Sequence, residues 1–257
     1  MRDQRRRQRS GQILVIAVLI ISLVLLSTQV YIFDVGKPLD GSHSQGVNDF
    51  VLAVKLGSEH VVTGSLANIS NGGSNTVLQS KLETWAAFLG GLYQSGGSPI
   101  LNFELEGGSP YANGTCLSWD ASGFAVTSAC AHFNFALHGG EVHVQLLYTE
   151  NVTTSLTVKG VYRSLLGDIK QINVTCQLLN EGSPALASNI TLLYQKSNVW
   201  LRADSTSSYS FTDYGNGTCQ IAFEQEYLSS ETVNVSVQVC DLRGICVRAN
   251  ATCTEIS

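Results

Sequence analysis

Apolar residues fall along this chain in three successive regimes. Ile13 to Leu26 is unbroken apolar sequence apart from Ser22, and Val30 to Phe33 extends the run. Gln12–Phe33 thus has roughly the 20 residues that a helix needs to cross a hydrocarbon core. After a Gly-, Ser- and Asp-rich stretch at 36–49, the apolar positions recur at helical spacing. Val51, Val54, Val62, Leu66 and Ile69 predict a helix from Asn48 to about Asn71, where Asn71-Gly72-Gly73 breaks the chain. Thr76-x-x-Gln79 reads as a capping box. Behind it, Leu78, Leu82, Trp85, Leu89 and Leu92 give a second helix one apolar face, with Gly90-Gly91 as its end. Such a face packs on a sheet, and Trp85 is expected there as core rather than as a binding residue.

Beyond Ser98-Pro99 the period changes to two. Ile100, Phe103 and Leu105 suggest a strand, and AHFNFALHGGEVHVQLLY reads as a hairpin about Gly139-Gly140. That turn opposes Leu137 to Val142, Phe135 to Val144 and Phe133 to Leu146, an apolar face. His138 with Glu141 and Asn134 with Gln145 lie on the polar face. Residues 150–168 read as a closing strand and a connector. Further on, Ile172, Val174, Cys176 and Leu178 alternate with polar residues, as do Ile190, Leu192 and Tyr194. Cys219, Ile221 and Phe223 do the same, then Val233 to Val239, then Val247, Ala249 and Ala251. Short strands at even spacing, separated by turn signals, predict a β-sandwich.

Charge gives the chain a direction. Arg2, Arg5, Arg6, Arg7 and Arg9 precede the apolar run. A basic flank of this kind stays in the cytoplasm, so everything after Phe33 is expected outside, held to the lipid bilayer by a single pass. From residue 34 onward ten Lys and Arg face nineteen Asp and Glu, a balance that argues against a nucleic-acid partner. Eight N-x-Ser/Thr sequons, at Asn68, Asn113, Asn151, Asn173, Asn189, Asn216, Asn234 and Asn250, are candidate glycosylation sites. All seven cysteines lie beyond residue 115, which suits an oxidising compartment. By strand parity Cys176 and Cys219 share the core side, so a buried link between them is one candidate; reduced core thiols are the alternative. Cys240 and Cys246 fall on the polar face of one hairpin and are candidates to bridge it. Cys116 and Cys130 flank a turn in poor register, and Cys253 is left over.

Two stretches resemble known families. The junction Arg9-Ser10-Gly11-Gln12 resembles the class III signal of archaeal type IV pilins and related surface proteins. The resemblance implies processing between Gly11 and Gln12, with the apolar helix kept first as an anchor and then as a filament core. The chain departs from that pattern at Ile16, where major pilins commonly carry a Glu; this favours a minor pilin or a simple anchor. Residues 168–254 resemble the immunoglobulin-like modules of prokaryotic surface proteins, on the NEGSPA and DYGNGT turns and the closing VQVCDLRGICV hairpin. A Cys176–Cys240 link of the separation common in that family is a rival to Cys176–Cys219, although parity turns Cys240 outward.

The expected fold class is therefore α+β to mainly β. A basic n-region at 1–11 leads to a transmembrane, pilin-like helix at 12–33 and a stalk at 34–49. Next come a small α+β, pilin-like domain at 50–160 and an Ig-like β-sandwich at 168–254. Chemistry is sparse. His138, Glu141 and His143 cluster at the hairpin turn, where exposed cross-strand polar residues account for them without a metal. There is no P-loop, dinucleotide fingerprint, nucleophile elbow, HExxH or CxxC pair in the sequence. No catalytic residue, cofactor or metal site is assigned. The expected function is a non-enzymatic, membrane-anchored extracellular protein of surface structure or adhesion. A pilin-like filament subunit, with other pilin or surface subunits as partners, is the alternative. A membrane-tethered hydrolase or metal-binding protein is the third reading.

Overall fold

The structure is a computed structural model that describes residues 43–92, 98–119, 122–139, 142–165, 168–227 and 231–256. The chain divides into two compact units, Met1–Lys55 and Leu56–Ser257. Of the first unit, the described part is the opening half of helix α1 (His43–Ser70). The second unit holds the rest of α1, a second helix and all of the strands.

Within the second unit α1 buries Ser58, Val62, Ser65, Leu66, Ile69 and Ser70, steps of three and four that form one stripe. It ends in a Schellman motif. Gly72 takes φ +92°, its N–H donates to Ile69 O, and Gly73 N–H donates to Asn68 O. Helix α2 (Val77–Leu92) buries Leu78, Leu82 and Leu89, three of the positions predicted from spacing. Its start differs from the expected capping box: Thr76 Oγ1 pairs with Ser74 Oγ, and the Gln79 amide donates to Glu83 one turn on. Gly90 and Gly91 lie inside the helix instead of ending it.

The β part is built on one long hairpin. Strands β3 (Phe124–Gly139) and β4 (Val142–Ser164) pair along their whole shared length. To one side of β3 lie β1 (Ser98–Leu105) and then β2 (Thr115–Trp119), end to end along the same edge. On the other side of β4 come β5 (Ile169–Asn180), β10 (Thr218–Glu226) and β9 (Ser210–Asp213), all antiparallel. The short β6 (Ser183–Pro184) pairs with β5, and β13 (Thr254–Glu255) runs parallel to β4. A second sheet has the order β12 (Cys246–Thr252), β11 (Asn234–Asp241), β7 (Ala187–Lys196), β8 (Val199–Arg202).

One face of the large sheet carries the core side chains. Near the hairpin turn it receives the helices: Tyr148 bonds Ser58 Oγ at 2.9 Å, which in turn accepts the Trp85 indole N–H at 3.1 Å. At the far end it receives the second sheet, and the two inner faces share a core. Leu156, Val158, Ile172, Val174, Leu178, Ile221 and Phe223 come from one sheet; Leu192, Tyr194, Val235, Val237, Val239, Val247 and Ala249 come from the other. These are the alternating positions of the sequence, and alternation is what places every second residue on a single face. Lys170 ends the β5 core row with its charge under the Tyr162 and Tyr227 rings and bonded to Glu231 O at 2.6 Å.

The expected fold class is corrected on this evidence. The described residues are mostly β, 56% strand against 22% helix. A small α+β domain followed by a separate Ig-like sandwich is not what forms, because β5, β9 and β10 continue the same sheet as β1, β3 and β4. The physical reason is β4. It does not stop at the polar Thr149-Glu150-Asn151 stretch but runs for 23 residues, long enough to take helices on one half and a sheet on the other. Among the described residues no helix is long and apolar enough to cross a membrane; the Gln12–Phe33 segment expected to do so lies outside them.

The hairpin register also moves. Gly139 pairs with Val142, His138 with His143, Leu137 with Val144 and Phe135 with Leu146. The turn therefore centres one residue later than the sequence suggested. Both strands shift together, so each side chain keeps its face.

Candidate functional site

The outer face of the β1–β3–β4 sheet carries the densest group of reactive side chains. Its geometry follows from parity. In β3, residues 125 to 137 of odd number face the core, so Ser128, Cys130, His132 and Asn134 face out. On β4 the outward partners are Thr153, Asn151, Thr149 and Leu147, directly opposite those four in turn.

Cys130 sits at the changeover between β1 and β2. Strand β1 pairs with β3 as far as Ala131, and β2 begins with Ala129. Between them the connecting loop is laced to the same backbone. Glu106 N–H donates to Cys130 O at 3.1 Å, Cys130 N–H to Gly114 O at 2.8 Å, and Gly114 N–H to Glu106 O at 3.0 Å. Glu106 is thereby held beside Cys130 and diagonal to His132. Its carboxylate meets His132 Nε2 at 2.9 Å, while His132 Nδ1 meets Thr149 Oγ1 at 2.9 Å. The carboxylate oxygen, the thiol sulfur and the imidazole nitrogen all lie within 4.8 Å of one another. Tyr111 from the same loop bonds Ser128 Oγ at 3.0 Å, and the Cys130 thiol is buried. Burial, and secondarily the Glu106 carboxylate, raises the Cys130 thiol above its ordinary pKa.

The residues singled out in the sequence fall elsewhere. His138 and His143 are opposed at the hairpin end with Nδ1 atoms 3.4 Å apart, and Glu141 lies outside the described residues. Cys240 and Cys246 are joined as a disulfide at the last pair of the β11–β12 ladder. Their face is not open to solvent on the Cys246 side: the end of α1 covers it, with Cys246 N–H donating to Ser70 Oγ at 2.9 Å. Cys176 and Cys219 are directly opposed on β5 and β10 as buried free thiols. Their mutual hydrogen bond and burial hold Cys176 well above the usual thiol range. Cys116 pairs with Ser128, two positions from Cys130, and Cys253 is a buried thiol.

Among the sequons, Asn68, Asn113, Asn151, Asn189 and Asn216 are exposed, whereas Asn173, Asn234 and Asn250 are half-buried. The Asn234 amide donates to Gln195, which engages the nitrogen a glycan would need. Gly11 and Gln12, the expected processing junction, lie outside the described residues. Of Glu106, Cys130 and His132, Cys130 is marked in the sequence only as a cysteine flanking a turn, and the other two are assigned to no site there. The Cys130-x-His132 spacing on a strand was a visible signal, but only the β1–β3 pairing brings Glu106 to it. Comparison with protein-family models and with curated proteins finds no match to this chain.

Proposed function

We propose that the chain is a non-enzymatic protein of the cell exterior, serving surface structure or adhesion and held at the surface by its N-terminal apolar segment. The observation that carries this reading is the Cys240–Cys246 disulfide in a chain that opens with five arginines before Gln12–Phe33. Bridges of this kind persist in oxidising compartments, and a basic cluster before an apolar run directs the C-terminal part of a chain across a membrane. Five exposed sequons fit the same surroundings.

A second reading rests on the Arg9-Ser10-Gly11-Gln12 junction: a minor pilin-like subunit processed after Gly11, in which the apolar segment joins a filament. One experiment addresses both. Intact cells producing the full chain are treated with an impermeant protease, and the protein from the membrane fraction is sequenced from its N-terminus. Surface location predicts loss of the folded body from intact cells. An N-terminus at Gln12 supports the pilin-like route, and an N-terminus at residue 1 or 2 removes it. Full protection from the protease overturns the surface reading.

A further inference from the structure

We infer that Glu106, Cys130 and His132 form a binding site for a divalent zinc-class metal ion on the outer face of the large sheet. The donors are one carboxylate oxygen, one sulfur and one imidazole nitrogen, mutually within 4.8 Å. Tetrahedral zinc, with ligand bonds of about 2.0–2.3 Å, needs its donors about 3.3–3.7 Å apart. The Glu106 and His132 side chains are both partly exposed, which leaves them room to turn toward that spacing.

The ring is already oriented. His132 Nδ1 is bonded to Thr149 Oγ1, the partner on the second nitrogen that metal-bound histidines characteristically have. With Nδ1 held by Thr149, Nε2 is turned toward the Glu106 carboxylate at 2.9 Å. A proton joins the two when no metal is bound, and the metal ion would replace it.

Charge and softness select among metals. A thiolate and a carboxylate neutralise a divalent ion, so the loaded site adds no net charge beside a buried sulfur. A sulfur–nitrogen–oxygen set suits zinc, whereas calcium and magnesium take oxygen alone. Binding releases the thiol proton to solvent and changes no oxidation state. Three protein ligands leave a fourth position, which faces solvent and takes water.

The backbone supports the site. Glu106 and Cys130 are fixed by the three-bond lacing of the β1–β2 loop, and His132 is two residues along the same strand. The His138–His143 pair at the hairpin end has two nitrogens and no third donor among the described residues.

The test uses the full chain, purified in detergent, stripped with chelator and kept reduced by a phosphine. It is titrated with Co(II) as the probe, then with Zn(II) in competition. The expected result is one Co(II) per chain, with the visible bands of tetrahedral cobalt and a near-ultraviolet thiolate-to-cobalt band, both displaced by zinc. C130S abolishes the thiolate band. H132A and E106Q weaken binding at least about tenfold, and both replace partly exposed side chains, so they keep the fold if C130S does not. C116S and H138A leave the titration unchanged. Absence of tetrahedral cobalt, a thiolate band that survives in C130S, or dependence on His138 overturns the assignment. So does a Cys116–Cys130 disulfide found in the unreduced native protein.

Discussion

The Trp85 indole lies directly against the α-carbon of Gly57, in the space that a β-carbon there would fill. It is this bare turn of α1 that lets α2 come close enough for the Trp85 N–H to reach Ser58 Oγ, and through it Tyr148 of the sheet.

Gly57→Ala is therefore expected to destabilise the protein. Alanine favours a helix over glycine by up to about 1 kcal/mol, while forcing a methyl into a packed contact costs about 1–3 kcal/mol. The clash wins, with a net loss of about 1 kcal/mol in urea unfolding, and Trp85→Leu added to it recovers part of the loss. Gly64, on the same helix with open space around its α-carbon, supplies the internal contrast. Gly64→Ala gains about 0.5–1 kcal/mol. Equal effects at both positions would show that the close contact does not matter.

Asp241 is fully buried and accepts from Arg243 Nε, from the backbone N–H groups of Arg243 and Ile245, and from Thr154 Oγ1. Arg243 keeps its ion pair to Glu181 without Asp241, but the Ile245 N–H and the Thr154 hydroxyl lose their buried acceptor. Asp241→Ala is expected to lose about 1–3 kcal/mol, and Asp241→Asn, which keeps an acceptor, clearly less. Chemical denaturation of the two variants side by side measures the difference.

The Cys240–Cys246 bridge closes a short loop six residues apart in sequence. Chain entropy gives such a loop roughly 2 kcal/mol, so reduction or the double alanine variant lowers stability by about that amount without unfolding the protein. Alkylation of the denatured, unreduced chain labels five cysteines and spares these two. Labelling of seven would show that the bridge does not form.

Burial pushes the Cys253 thiol up to about 12, against about 8.5 in an unfolded chain. Between those values the unfolded state loses a proton that the folded state keeps. The stability contributed by this neutral thiol is full below about pH 8.5 and is lost as pH rises toward 12, at up to about 1.4 kcal/mol per pH unit. Cys253→Ala removes one proton from that alkaline slope. Urea unfolding at a series of pH values reads it directly, and an unchanged slope would count against the assignment. Other groups raised by burial, among them Tyr148, Tyr162, Tyr194, Tyr209 and Tyr227 and the Cys130 and Cys176 thiols, add to the same slope.

Faces were legible in the sequence; partners were not. The valines at 233, 235, 237 and 239 all face the core, as do Leu78, Leu82 and Leu89 on α2, because side-chain periodicity is a local property of the backbone. Nothing local marks a strand such as β4 as belonging to both halves of the molecule, since its polar midpoint resembles a loop. The Gly-Gly turn was ambiguous for a related reason: Gly139 extends a strand as readily as it turns one. The Glu106–Cys130–His132 group was half visible, with two donors in one strand and the third supplied by a pairing 26 residues away in sequence from His132. Strand parity places Cys240 and Cys246 on the non-core side, but the end of α1 that covers Cys246 belongs to a distant segment.

Strand β4 takes neighbours from both directions of the chain: β3 before it, β5 after it, the parallel β13 at the end, and the face of β12 against Leu156 and Val158. A polypeptide threaded through a membrane from its N-terminal side would deliver β4 well before β12 and β13. The half of its inner face that packs on β12 would stay bare until that strand had emerged. Completion of the sheets would then wait for β12 and β13, and a chain stalled before them would present an open, apolar face to its neighbours.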